Sequence, residues 1–167
     1  MTYSKKDILT SISFMLFIIS FSVVFVAFFK PLYYFDIHHL KLVENTHYTY
    51  QQIKENYQIL IHYQSIFYQG KLVFKDFIMS KGGRIHFEEV KQIFVAIEYI
   101  FIASGIIGLA FLLLLICKFK EFLFLKLAAI LTITIPAVLA ILISINWEAA
   151  FVTFHHIFFN NDYWLFY

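Results

Sequence analysis

ILTSISFMLFIISFSVVFVAFF, residues 8–29, runs for twenty-two positions without a charged side chain. At about 1.5 Å per helical residue, such a run crosses the ~30 Å hydrocarbon core of a bilayer. Two further runs resemble it. Residues 93–116 are interrupted only by Glu98 near their start, and residues 122–145 carry Lys126 near their beginning and Pro136 inside. Pro136 is expected to kink the third helix, because it removes a backbone donor and crowds the preceding turn. Composition points the same way: 14% of residues are charged, against roughly 25% in soluble domains, while 61% are hydrophobic. The sequence reads as an all-α integral membrane protein, a single membrane domain over 1–167. It has three transmembrane helices and a large external, partly helical loop.

Orientation follows from the lysines. Lys5 and Lys6 precede the first run, and Lys118, Lys120 and Lys126 crowd the short link between the second and third. The positive-inside rule puts both clusters in the cytoplasm. Residues 30–92 and the aromatic segment 146–167 are then outside. The long loop holds eight of the thirteen Lys and Arg residues, but loops of that length are largely exempt from the rule. Phe29-Lys30-Pro31 is no small-residue cleavage site, so the first run reads as a retained anchor rather than a signal peptide.

The loop does not read as disordered. Thr49 and Gln52 fit a capping box, and Ile53, Tyr57, Leu60 and Ile61 recur at helical spacing after it. A helix from about Thr49 to Phe67 is expected, its apolar face packed on the spans or dipping into the lipid interface. Gly82-Gly83 reads as a break, with a new helix starting near His86 and running into the second span. On it, Arg84 and Glu88 are four apart and suited to pair. Gly105 and Gly108 read as sites of close helix approach.

Chemistry-bearing residues are few. A net charge of +2 and the lack of a dense basic block argue against a nucleic-acid partner. Cys117 is the only cysteine, which rules out an intrachain disulfide, and it reads as a small apolar filler. His38, His39 and His62 match no zinc spacing. No G-x-S-x-G, P-loop, H-E-x-x-H or dinucleotide fingerprint occurs, and Ser80, Ser104 and Ser144 lack a nucleophile's context. Two histidine sites remain: His86, just before the second span, and His155-His156, after the third. Each reads either as an interfacial histidine or as a general acid or base, a role suited to the side chain that titrates near physiological pH. Adjacent helical residues point about 100° apart, so only one of His155 and His156 is expected to face inward. Glu98, a carboxylate in a span, costs roughly 2.5–3.5 kcal/mol at the bilayer centre and less near the edge, so it is expected to be protonated or to face a polar pocket.

The run His86-Phe87-Glu88-Glu89-Val90-Lys91, together with Phe154-His155-His156-Ile157-Phe158-Phe159-Asn160-Asn161-Asp162-Tyr163-Trp164, resembles the lipoprotein intramolecular transacylase (Lit) family of Gram-positive bacteria. The resemblance extends to the spacing of the spans and the large loop. It implies an acyltransferase in the bacterial cell membrane, with its site on the extracellular side. Its substrates would be diacylglyceryl-modified lipoproteins, with membrane lipids as further partners. One acyl chain would move from the glycerol to the α-amine of the N-terminal cysteine, giving the lyso-form without cofactor or metal. Carried over by position, His86 and His155 would be catalytic, His86 as base and His155 as acid or the reverse, with His156 at a position the family varies. Arg84, Glu88, Glu98 and Trp164 would contact substrate. The family continues into another apolar span after the tryptophan motif, and this sequence lacks that fourth helix. A lipid hydrolase using the same histidines, and a non-catalytic subunit meeting a partner through the Ile53-Tyr57-Leu60 face, are the alternatives.

Overall fold

The computed structural model describes residues 3–114 and 122–165. Cys117, Lys118, Lys120, the last positions of the second expected span and the two C-terminal residues lie outside the described residues. Among the described residues, seven helices follow in order: α1 (Lys5–Phe28), α2 (Lys30–His39), α3 (Leu42–Asn45), α4 (Tyr50–Gln64), α5 (Lys81–Leu113), α6 (Leu123–Ile145) and α7 (Trp147–Phe158). Among the described residues, α1, α5 and α6 are long and apolar enough to cross a membrane. The chain forms two compact units. The first comprises Met1–Ser22 and Tyr99–Asn160, the second Val23–Glu98 and Asn161–Tyr167, so α1 and α5 contribute to both.

In the first unit, α1 starts with a reciprocal cap. Asp7 Oδ2 accepts the Ser4 N–H and hydroxyl at 2.9 and 2.7 Å, while Ser4 Oγ accepts the Asp7 N–H at 3.2 Å. The serines of α1 then join the helices. Ser11 Oγ donates to the carbonyl of Phe124 on α6 at 2.8 Å, and Ser13 Oγ to that of Ser104 on α5 at 2.9 Å. Gly105 receives the Phe17 ring and Gly108 the Ser13 and Phe14 side chains, so both glycines serve close helix approach. Outside these contacts the apolar side chains are uncovered. Ile133, Leu139 and Ile141 of α6 stand 70%, 53% and 61% exposed, which is stable only with lipid as the other partner. Asn146 ends α6 and starts α7 at once, its Oδ1 accepting the Ala149 N–H at 3.0 Å. The third apolar run thus gives way to a short amphipathic helix.

The second unit is built on α4. Thr49 and Gln52 form the capping box read from the sequence. The helix ends at Gln64, short of the expected Phe67, because the Ile66 N–H is taken by the Glu98 carboxylate instead of a helical carbonyl. Its apolar face turns to α2 and the 72–79 segment rather than to the spans or the lipid interface. Ile53 is buried with Ile37 and Leu72, and Tyr57 stacks on Tyr33 with 3.7 Å between ring centroids. Asn56, wholly buried, is the polar hub. Its Nδ2 donates to Gln52 O and Asp76 Oδ2 at 2.7 and 2.8 Å, and its Oδ1 accepts the Lys75 and Asp76 N–H groups at 2.9 and 3.2 Å. Three of those bonds, to Lys75 and Asp76, fold the long loop back on α4.

Two predictions follow from this packing. Asn56→Ala strands two backbone donors and takes one of its two amide donors from the Asp76 carboxylate, so it should cost on the order of 3 kcal/mol, against about 1 kcal/mol for the exposed cap in Thr49→Ala. Thermal unfolding in detergent, or limited proteolysis of the loop, would rank the two variants; equal effects would contradict the hub. Burial, with smaller contributions from Asp36 and neighbouring phenols, holds the Tyr33 and Tyr57 hydroxyls above the ordinary tyrosine range. Ionisation is thereby disfavoured in the folded state. The stability linked to these rings should be complete below about pH 10 and lost as pH rises through their raised values. Tyrosinate absorbance followed alongside unfolding should show ionisation and loss of the second unit together.

Candidate active site

In the second unit, α5 begins earlier than the glycine pair suggested. Ser80 caps it: Ser80 Oγ accepts the Gly83 N–H and Ser80 O the Arg84 N–H, each at 3.0 Å. Gly82 and Gly83 therefore form the first turn instead of a break. Gly82 is there for space. A Cβ on it would lie 2.9 Å from the Tyr163 ring, so the bare backbone lets the aromatic segment after α7 sit against α5.

That segment is fastened by one residue. Asn161 Nδ2 donates to Glu89 Oε1 at 2.7 Å, Asn161 Oδ1 accepts the Tyr163 N–H at 3.0 Å, and Asn161 O accepts the Trp164 indole N–H at 2.9 Å. The two sequence motifs thus meet within one unit through Glu89 and Asn161, a pair the sequence reading did not single out. The acidic doublet Glu88-Glu89 was the only signal for it. Trp164 is buried, and with its donor spent on Asn161 it offers an apolar face.

His86 is buried on the second turn of α5, 8% exposed, beside the Phe87 ring. Arg84 and Glu88 on the same turns are both exposed and do not pair with each other, contrary to the expectation from their spacing. Solvated, such a pair gains little from closing. About three turns further on, Glu98 is buried, and its Oε2 accepts the Ile66 N–H at 3.3 Å. Lys91 Nζ donates to the Tyr68 carbonyl at 2.6 Å and sits 4.4 Å over the Tyr63 ring. Lys91 and Glu98, seven residues apart on one face of α5, hold the turn that follows α4. Among the described residues, Glu98 Oε1 is buried with no hydrogen-bond partner.

In the first unit, α7 carries the histidine pair. Of the adjacent histidines on α7, His155 is buried and His156 exposed. The Phe151 and Phe159 rings pack against His155, with centroids 4.1 and 5.5 Å away. Its Nδ1 lies 2.7 Å from the Phe151 carbonyl oxygen. A carbonyl can only accept, so Nδ1 carries the proton and, in the neutral ring, Nε2 carries the lone pair. The bond survives protonation of Nε2, so the ring keeps its orientation in both charge states. Among the described residues, no group of three or more His, Cys, Asp or Glu side chains is placed to hold a metal ion.

The model of the family described as lipoprotein intramolecular transacylase Lit matches residues 8–167. Among solved structures, the chain is similar to the membrane-integral lipoprotein intramolecular transacylase Lit from Bacillus cereus. Identity is 39% and the TM-score 0.90, over 97% of this chain and 75% of that one. Two further structures of that protein, with one histidine replaced by arginine or by alanine, match with a TM-score of 0.88 each at the same identity. They too are matched over 97% of this chain, and over 72% and 73% of their own. Curated proteins yield no match. The family match spans nearly the whole chain, and the similarity to the Bacillus cereus structures includes the membrane helices, the loop unit and the aromatic segment alike: this chain belongs to the lipoprotein intramolecular transacylase family, a family of acyltransferases.

Proposed function

We propose that this protein acts on diacylglyceryl-modified lipoproteins at the extracellular face of the bacterial cell membrane. It moves one acyl chain from the glycerol to the α-amine of the N-terminal cysteine, with His86 and His155 handling the protons. The amine nitrogen attacks the ester carbonyl, a C–N bond forms, and the C–O bond to glycerol breaks. The net proton transfer is from nitrogen to the glycerol oxygen. An α-amine titrates near ~8 and is mostly protonated at neutral pH, so a base must first unmask it. The leaving oxygen then needs an acid. One neutral and one protonated imidazole supply both, and no enzyme nucleophile is called for. Holding amine and ester together adds proximity, worth up to ~7–11 kcal/mol in ideal intramolecular cases.

The observation that carries this reading is the family match over residues 8–167. The buried, oriented imidazole of His155 supports it. Fixed through Nδ1, the ring keeps its orientation in either charge state, which suits either half of the proton transfer. Arg84 and Glu88, both exposed, are proposed contacts for the substrate's polar portion, while Glu98 and Trp164 shape its surroundings. The extracellular placement rests on the lysines at Lys5, Lys6 and Lys126. The reading as a non-catalytic subunit required the Ile53 and Tyr57 face to meet a partner, yet Ile53 is buried and Tyr57 stacks on Tyr33 within its own unit.

Removing either histidine should abolish proton transfer while sparing the fold. His86→Ala and His155→Ala are expected to lower the transfer rate by about 10²–10⁴-fold, with insertion and expression retained. His156→Ala, at an exposed ring, should stay within a few-fold of wild type. Full activity of the His86 variant would refute the pair. The reaction is identified by mass. Intramolecular transfer leaves the intact mass of a lipopeptide unchanged and consumes its free amine. Hydrolysis removes a fatty acid and leaves the amine reactive, and transfer from a phospholipid adds a chain. Tandem mass spectrometry with amine labelling distinguishes the three, and a lighter product with a free amine would replace this reading by a hydrolase.

A further inference from the structure

The second unit encloses a cavity of about 640 Å³, within the ~300–1,000 Å³ range of small-molecule sites. Its walls come from α2, α4, the 74–79 segment and the first turns of α5, and none of the residues lining it is charged. The other cavity of this unit, lined by Lys30, Glu55, His62 and Lys75, is by contrast polar.

Asn56 and Ser80, two of the polar side chains around the larger cavity, are already engaged. Asn56 lines it, but both its amide hydrogens and both acceptor positions are used in the hub. Ser80 Oγ accepts the Gly83 N–H, and Tyr33 and Tyr57 are stacked ring on ring. Water entering such a space finds few partners, whereas hydrocarbon finds an apolar wall. The cavity also has a direction. Ile78 lines it while 96% exposed, which marks a mouth, and Ile53, 3% exposed, marks a floor. One wall is the α5 face of Gly83 and Phe87, and His86 is the residue next to Phe87 on that turn.

We propose that this cavity seats one fatty acyl chain of the lipoprotein substrate and sets the chain length that the protein accepts. The inference rests on the acyl-transfer reading for the source of the chain. The hydrocarbon enters past Ile78, lies along Phe77 and Phe87, and ends against Ile53 and Leu60. Its occupancy holds the ester-bearing end of the chain at the turn of α5 that carries His86. Length selection then needs no polar recognition, because a chain too long for the floor keeps methylenes out of the apolar wall.

The test uses the full chain in nanodiscs and lipopeptides with either two lauroyl or two palmitoyl chains. Leu60→Trp, which raises the floor, should lower the palmitoyl rate relative to the lauroyl rate by about tenfold or more, the discrimination a few methylenes give in an apolar pocket. Phe77→Ala, which widens the space, should move the preference toward palmitoyl. Equal losses for both lengths in the first variant, or an unchanged preference in the second, would overturn the proposal. A second arm needs no turnover: a lipopeptide with a photoreactive diazirine at the end of one acyl chain should label Tyr57, Leu60 or Phe77. Labelling of these residues without amide formation would retire the transacylase reading and leave the acyl-chain cavity standing. Amide formation with labelling confined to bulk lipid or α6 would do the reverse.

Discussion

In hydrocarbon, a backbone N–H or C=O has no water to bind, and most of this structure answers that constraint. Three long helices satisfy their own backbones, and their serines spend hydroxyls on carbonyls instead of leaving them bare. Ser11 and Ser13 do more than this. Their bonds to Phe124 and Ser104 cross from one helix to the next, where apolar side chains alone gain little because lipid is equally apolar. Gly105 and Gly108 complete the arrangement by admitting Phe17 and Phe14 against the helix backbone. The second unit answers the same demand by other means. A loop with little regular structure after α4 is kept folded by one amide, Asn56, and by two α5 side chains, Lys91 and Glu98, that take up the backbone polar groups of the turn at Ile66–Tyr68.

Local signals were legible in the sequence, and long-range ones were not. The capping box at Thr49 needs only residues three apart, so the pattern alone located the start of α4. The apolar runs could be counted directly, and the roughly 100° step between neighbours on a helix implied that only one of His155 and His156 faces inward, as the structure has it, while the choice of His155 came from the resemblance. The glycine pair misled because its meaning lies elsewhere: Ser80 caps the helix in front of it, and Tyr163, far along the chain, needs the space at Gly82. Arg84 and Glu88 had the spacing to pair, but spacing cannot tell whether solvent competes. Asn56 had no pattern at all, since its partners lie about twenty residues away in a stretch without periodicity. The motif residues drew attention to the histidines, whereas the contact that joins the motifs runs through Glu89 and Asn161.

The site is economical in its chemistry because the substrate brings its own nucleophile. An enzyme that must attack an ester itself needs an activated serine or cysteine and a base to unmask it. Here the chain need only hold an amine and an ester near one another and move a proton between them. That demand fits the side chains available, which are aromatic and aliphatic with few ionisable groups among them. In the mechanism we propose, imidazoles held in an apolar setting meet it, provided that their rings do not swing. The Phe151 carbonyl and the flanking rings limit that motion for His155.

The second unit is not contiguous in the chain. Its body ends at Glu98, and the residues that fasten to Gly82 and Glu89 begin only at Asn161. Between them lie the rest of α5, all of α6 and all of α7. During biosynthesis the loop is therefore made well before its own closing segment exists. Until α6 has been inserted and α7 has followed, Glu89 lacks its amide donor and the groove over Gly82 stands open. Assembly order is thus written into connectivity: the loop can begin to fold as soon as it emerges, but the turn that carries His86 is finished only when the membrane part of the molecule is already in place.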